Sequence, residues 1–212
     1  MRNTAPNSSK SKRRKPYQQT ERAVATDNTR RRVIESAVAL MRSARRIQEI
    51  TIQAIADDAG VAMRTALRHF GSRDGILEAA FEHIKETIAG NRFPTPPGEI
   101  VAAIESLMHS YEHDGELTIK VLEEENDLPF LHKLLEIGRK YHSEWLEHCF
   151  GSLLPELSAA QRKRRIIELY AATDVYVWKL LRKDLGQSRA ATHSTLQNLV
   201  EGCIHQAHKI LE

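Results

Sequence analysis

The chain has 212 residues, 41% of them apolar and 28% charged, which is enough for one domain or two small ones with a sizeable core. Ten glycines, seven prolines and no long Val/Ile/Thr alternation make the bulk reading helical, and the two lone cysteines exclude a disulfide framework or a paired-cysteine metal site. The longest apolar runs, at 37–41 and 100–104, fall far short of the roughly 20 residues that cross a membrane, and residues 1–26 lack the apolar segment of a secretory signal, so a soluble cytoplasmic protein is expected.

The net charge of +3 is unevenly spread, at +6 over residues 1–26, +2 over 27–80 and −5 over 81–212. A basic front and an acidic rear suggest a polyanion at the front. Residues 1–26, "MRNTAPNSSKSKRRKPYQQTERAVAT", hold too few large apolar groups to offset chain entropy, and read as a disordered basic arm. Such arms lie along nucleic-acid phosphates or in a minor groove, or serve as solvated tails.

A helical period begins at Thr29, with Ile34, Ala37, Val38 and Met41 on one stripe. Arg30, Arg31 and Arg32 then fall in a first turn where the helix dipole disfavours cations, which implies an external anion. Thr51 is placed to cap a short helix carrying Ile52, Ile55 and Ala59 that stops at Gly60. "AGVAMRTALRHFGSRDGIL" then predicts a helix of barely two turns, too short to stand alone in water. Ser72 can cap a longer helix with Ile76, Leu77, Ala80, Phe81 and Ile84 on one face, ending near Gly90, and "RFPTPPGE" breaks the chain.

Packed on the 29–44 helix through Ile52, Ile55, Val61, Leu67 and Phe70, the two short helices form a helix-turn-helix. The free face of the second carries Arg64, Thr65, Arg68 and His69, placed to enter a major groove, where Arg can bond guanine N7 and O6 in a bidentate manner. A solvated basic face on a structural helix is the competing reading. "ITIQAIADDAGVAMRTALRHFGSRDGILEAAFEHI" resembles the DNA-binding region of the TetR family of transcriptional regulators, over roughly residues 29–84. The resemblance rests on Thr51, Ile55-Ala56, Ala59-Gly60-Val61, Thr65, Phe70, Arg73 and Leu77. Ala62, Ala66 and Leu67 depart from the family pattern; a Tyr that commonly touches phosphate is replaced by Leu67. The resemblance implies an all-α homodimer on a palindromic double-stranded DNA operator; with the charge and helix-face readings above, the residues expected at the DNA are Arg30, Thr51, Arg64, Thr65, Arg68, His69 and Arg73. It also implies a C-terminal part that forms the dimer and binds a small-molecule effector, and it divides the chain into residues 1–26, 27–84 and 85–212.

Beyond the break, helices are expected over 98–112, 116–124, 127–149, 158–185 and 189–211, with Ser158 to Gln161 as a capping box. Residues 166–181 are apolar nearly all round, and the last helix carries a stripe of Leu196, Leu199, Val200, Cys203, Ile204 and Ala207. Together they suggest a helical interface with a second subunit, with a single closed bundle as the alternative. For an effector, His109, Tyr141, His142, Trp145, Tyr170, Asp174 and Trp178 are the candidates. Asp174 stands in the most apolar helix, at i+4 from Tyr170 and i−4 from Trp178, and needs an internal basic partner or a ligand group. His109 and His113 have the spacing of a helix-borne metal pair, yet no third ligand, His-Glu-x-x-His motif or phosphate-binding glycine loop accompanies them. No enzyme, metal or cofactor is expected. A ligand-responsive repressor is the leading function, and a constitutive DNA-binding dimer the rival.

Overall fold

The computed structural model describes residues 16–209, with side chains from residue 24 onward. The described residues fold into nine α-helices and no strand. The expectation of a disordered arm lies outside the described residues for 1–15. Residues 16–26, however, belong to the first helix, α1 (Pro16–Ser43), which begins 13 residues before Thr29. Arg30, Arg31 and Arg32 therefore lie mid-helix, and the dipole argument for an external anion at a first turn falls. Arg31 pairs with Glu35 at 3.8 Å. Arg32 donates from Nε to the Ala59 carbonyl (3.0 Å) and from Nη2 to that of Gly60 (2.8 Å), satisfying the carbonyls where the next helix ends.

That next helix, α2 (Ile52–Asp58), starts as the sequence predicts: the Thr51 hydroxyl accepts from the Ala54 N–H at 3.1 Å. The chain then turns at Gly60, whose φ of +62° an L side chain rarely adopts, into α3 (Met63–Phe70). Ala66 is fully buried and Phe70 packs on the same apolar cluster, so tertiary contacts hold this two-turn helix. The long α4 (Arg73–Arg92) follows, capped by the Ser72 hydroxyl on the Gly75 N–H at 3.0 Å.

Two expectations about the C-terminal helices are corrected. Residues 100–123 form one helix, α5 (Ile100–Glu123), with no break at Asp114-Gly115. Gly115 is there for room, since a Cβ on it would lie 2.5 Å from the Trp178 ring. Conversely, the helix expected over 158–185 is interrupted at Asp174. After α6 (Pro129–Phe150), α7 (Ala159–Thr173) opens with the Ser158–Gln161 capping box, and a short α8 (Val175–Lys179) follows, ending in a π-helical turn over Leu180–Asp184. Asp174 sits between α7 and α8 in extended conformation, and its carboxylate accepts the Tyr176 N–H at 2.9 Å as the N-cap of α8. It is half-buried and satisfied by backbone, so it is not an unpartnered carboxylate inside a helix, and Trp178 does not share a helical face with Tyr170.

The final helix, α9 (Arg189–His208), packs on α5 and α7. Leu196, Val200 and Ala207 are fully buried within the chain itself, and Cys203 and Ile204 pack on the same cluster. The stripe expected at a subunit interface is thus mainly this chain's own core, leaving Leu199 exposed.

Two apolar clusters hold the molecule. One joins Val33, Met41, Ile55, Ala66, Ile76 and Leu77 to Leu117 and Val121 of α5 and Leu131 of α6. The other centres on Leu107, Trp145, Phe150, Trp178 and Leu196. Polar contacts tie α1 and the turn after it to the end of α5 besides: Lys120 Nζ donates to the Met41 carbonyl at 2.9 Å, and buried Glu124, the C-cap of α5, accepts the Ile47 and Gln48 N–H groups at 2.8 and 3.1 Å. Among the described residues no helix is long and apolar enough to cross a membrane.

Candidate nucleic-acid interface and ligand cavity

The outer face of α3 presents Arg64 and Arg68 one helical turn apart, both exposed and without an ion pair or hydrogen bond among the described residues. Thr65 and His69 are half-buried beside them, and Arg64, Thr65 and Arg68 line one shallow hollow with Ala62 and Leu67. The other basic residues assigned to this region have internal contacts. Arg30 lies 4.7 Å over the Phe70 ring. Arg73 donates to the Gln48 carbonyl at 3.1 Å and to Asp74 at 3.1 Å, bracing the start of α4, while Thr51 is occupied in capping α2.

About 460 Å³ of cavity opens between α4, α5, α6 and the α7–α8 junction, a volume suited to a small molecule. Tyr141, His142, Tyr170 and Asp174 line it, as the sequence suggested. The other three candidates do not. His109 is exposed on the outside of α5, and Trp145 is packed between His142 and Phe150. Trp178 lies against Gly115 and donates its indole N–H to Glu112 at 3.1 Å.

Sequence reasoning missed Arg92, the polar centre of the wall. A cation in the last turn of a helix is ordinary, so nothing in the spacing marks it. In the fold it is only 5% exposed, because Ser110 and Tyr111 of α5 and His142 and Trp145 of α6 close over the end of α4. Arg92 Nε donates to Ser110 Oγ at 3.1 Å and Nη1 to His142 Nδ1 at 3.3 Å. Its guanidinium also faces the rings of Tyr111 and Trp145, 5.1 and 5.4 Å from their centroids.

Burial, reinforced by the Arg92 charge, pushes the His142 pKa down to about 3, so the ring is neutral near pH 7. Its tautomer follows from the network. The Thr173 hydroxyl donates to the Leu169 carbonyl at 2.8 Å and accepts from His142 Nε2 at 2.9 Å, leaving Nδ1 as the acceptor for Arg92. The Tyr111 hydroxyl donates to the Thr173 carbonyl at 2.9 Å, and burial raises its pKa. Burial also pushes the Tyr141 phenol up to about 12, and this buried hydroxyl has no partner among the described residues. Among the described residues no cluster of His, Cys, Asp and Glu is arranged to hold a metal ion.

No protein-family model and no curated protein matches the sequence. Two solved structures do resemble the fold. One is a candidate transcriptional regulator from Pseudomonas aeruginosa PAO1, with a TM-score of 0.64 at 15% identity over 94% of this chain and 97% of that one. The other is the multidrug binding protein EbrR in complex with imidazole, with a TM-score of 0.55 at 15% identity over 80% of this chain and 93% of that one. The chain therefore has an all-helical fold, with a helix-turn-helix near its N-terminus and a helical C-terminal part, that it shares with a candidate transcriptional regulator and a multidrug-binding protein.

Proposed function

We propose that the chain is a homodimeric DNA-binding transcriptional regulator, a repressor whose α3 reads an operator and whose cavity takes a small molecule that releases it. The observation that carries this reading is the span of α4. Its first turn follows α3 directly, and Phe81, Ile84, Lys85, Ile88 and Arg92 from its remaining turns form one wall of the cavity. A ligand that shifts this wall also shifts the base of the reading helix, and two such helices must meet half-sites about 34–36 Å apart. DNA and ligand then favour different spacings and compete by linkage. The two similar structures, one a candidate transcriptional regulator and one a multidrug binding protein, support the same reading.

The test is to sequence genomic fragments retained by the purified protein and then titrate one retained fragment with candidate ligands. The reading expects a two-fold symmetric site and its release by a ligand that binds the protein alone. Retention without sequence preference would contradict it, and a specific site that no cavity ligand releases would leave a constitutive DNA-binding dimer.

A further inference from the structure

We propose that the cavity takes an amphipathic organic anion, a carboxylate on an apolar body, with the carboxylate seated on Arg92. This deepens the regulator reading, on which it rests only for the consequence of binding. The argument starts from the charges that line the cavity. Asp114 pairs with Arg42 at 2.8 Å, Glu82 with Lys85 at 2.5 Å, and Arg139 with Glu125 at 2.6 Å. Asp174 gives its carboxylate to the backbone at the start of α8.

Arg92 alone among these charged groups is deeply buried with only neutral partners: a serine hydroxyl, a neutral imidazole and two aromatic faces. Aromatic faces compensate a cation in part, but a guanidinium withdrawn from water ordinarily meets an anion. Its Nη2 group has no protein acceptor among the described residues. Nη1 and Nη2 form the fork that receives a carboxylate through two parallel bonds. Tyr141 of α6, whose enclosed hydroxyl has no partner among the described residues, belongs to the same lining. Phe81, Ile84 and Ile88 from the same helix as Arg92, with Leu117, Val121 and Leu134, line the cavity with apolar surface for the rest of the molecule.

The test uses the full chain and calorimetry in the absence of DNA. Two series each share one apolar body: naphthalene-1-acetate, its amide and 2-(1-naphthyl)ethylammonium; and decanoate, decanamide and decylammonium. In at least one series the carboxylate should bind about 10- to 100-fold more tightly than its amide and its ammonium. Arg92→Gln should bring the carboxylate-to-amide ratio close to one while the amide still binds. Arg92→Lys, which keeps the charge but not the fork, should keep part of the preference, and serves as the informative variant if Arg92→Gln does not fold. An ammonium that binds most tightly would point to Asp174 instead and overturn the proposal. So would a carboxylate preference unchanged in Arg92→Gln, or the failure of both carboxylates to bind. A carboxylate that binds through Arg92 but leaves a retained DNA fragment in place would count against the regulator reading alone.

Discussion

Arg64 and Arg68 are the arginines of the helix-turn-helix with no partner among the described residues, a state they share with Arg45 outside it, while Arg31, Arg32, Arg42, Arg46 and Arg73 are engaged within the chain. The free pair should therefore carry most of the specific contact to DNA. Arg64→Ala and Arg68→Ala are each expected to weaken operator binding by about 1–3 kcal/mol where they read a base, with the helical circular-dichroism signal unchanged. Wild-type affinity in both variants would remove α3 from the interface. His142 supplies a second prediction. Its pKa is about 3 when folded against 6.5 when free, so the unfolded chain binds the extra proton between those values. Stability is then complete above about pH 6.5 and falls as the pH drops towards 3, by about 1.4 kcal/mol per pH unit. Melting temperatures across that window should fall more steeply for the wild type than for His142→Gln, and equal slopes would refute the assignment. Single residues were legible in the sequence where a local rule governs them, as with Thr51, Ser72 and Ser158 at helix starts. Arg92 was not legible, because only the return of the chain over it turns an ordinary last-turn cation into a buried one.

At the scale of elements, periodicity located the helical segments but misplaced two interruptions, each for its own reason. Asp114-Gly115 has the chemistry of a turn, yet α5 runs through it because the Trp178 ring needs the space a side chain would fill. Asp174 looks like a misfit in an apolar helix, yet it ends α7 and starts α8. The first error predicts a measurable effect. Gly115→Ala gains about 1 kcal/mol in helix propensity. It also forces a Cβ to 2.5 Å from an indole that is 1% exposed and cannot move outwards, an overpacking cost of about 1–3 kcal/mol. The melting temperature should fall, and a rise would show that the indole has room to yield. The start of α1 was hidden for a different reason: residues 16–28 are polar and carry no apolar stripe, so their helicity extends a nucleus formed further on.

For the whole molecule, the proposed dimer has to use what the chain leaves uncovered. Large exposed apolar side chains gather on the C-terminal elements: Ile167 on α7, Tyr176 and Leu180 around α8, Leu185 after it and Leu199 on α9. Ile167→Glu combined with Leu199→Glu should give a folded monomer by light scattering and circular dichroism, since both side chains are outside the core. Leu196→Glu should instead unfold the chain, because Leu196 is completely buried within it. A double variant that remains dimeric would move the interface elsewhere.

The central claim, that α3 reads DNA in two symmetric copies, is tested most directly by hydroxyl-radical footprinting of a retained genomic fragment. The wild type and the Arg64→Ala/Arg68→Ala variant would be compared on the same fragment. The account predicts two protected patches on one face of the duplex, about 10–10.5 base pairs apart or a multiple of that, present with the wild type and lost with the double variant. A footprint of one patch, or two patches that persist unchanged in the double variant, would contradict it.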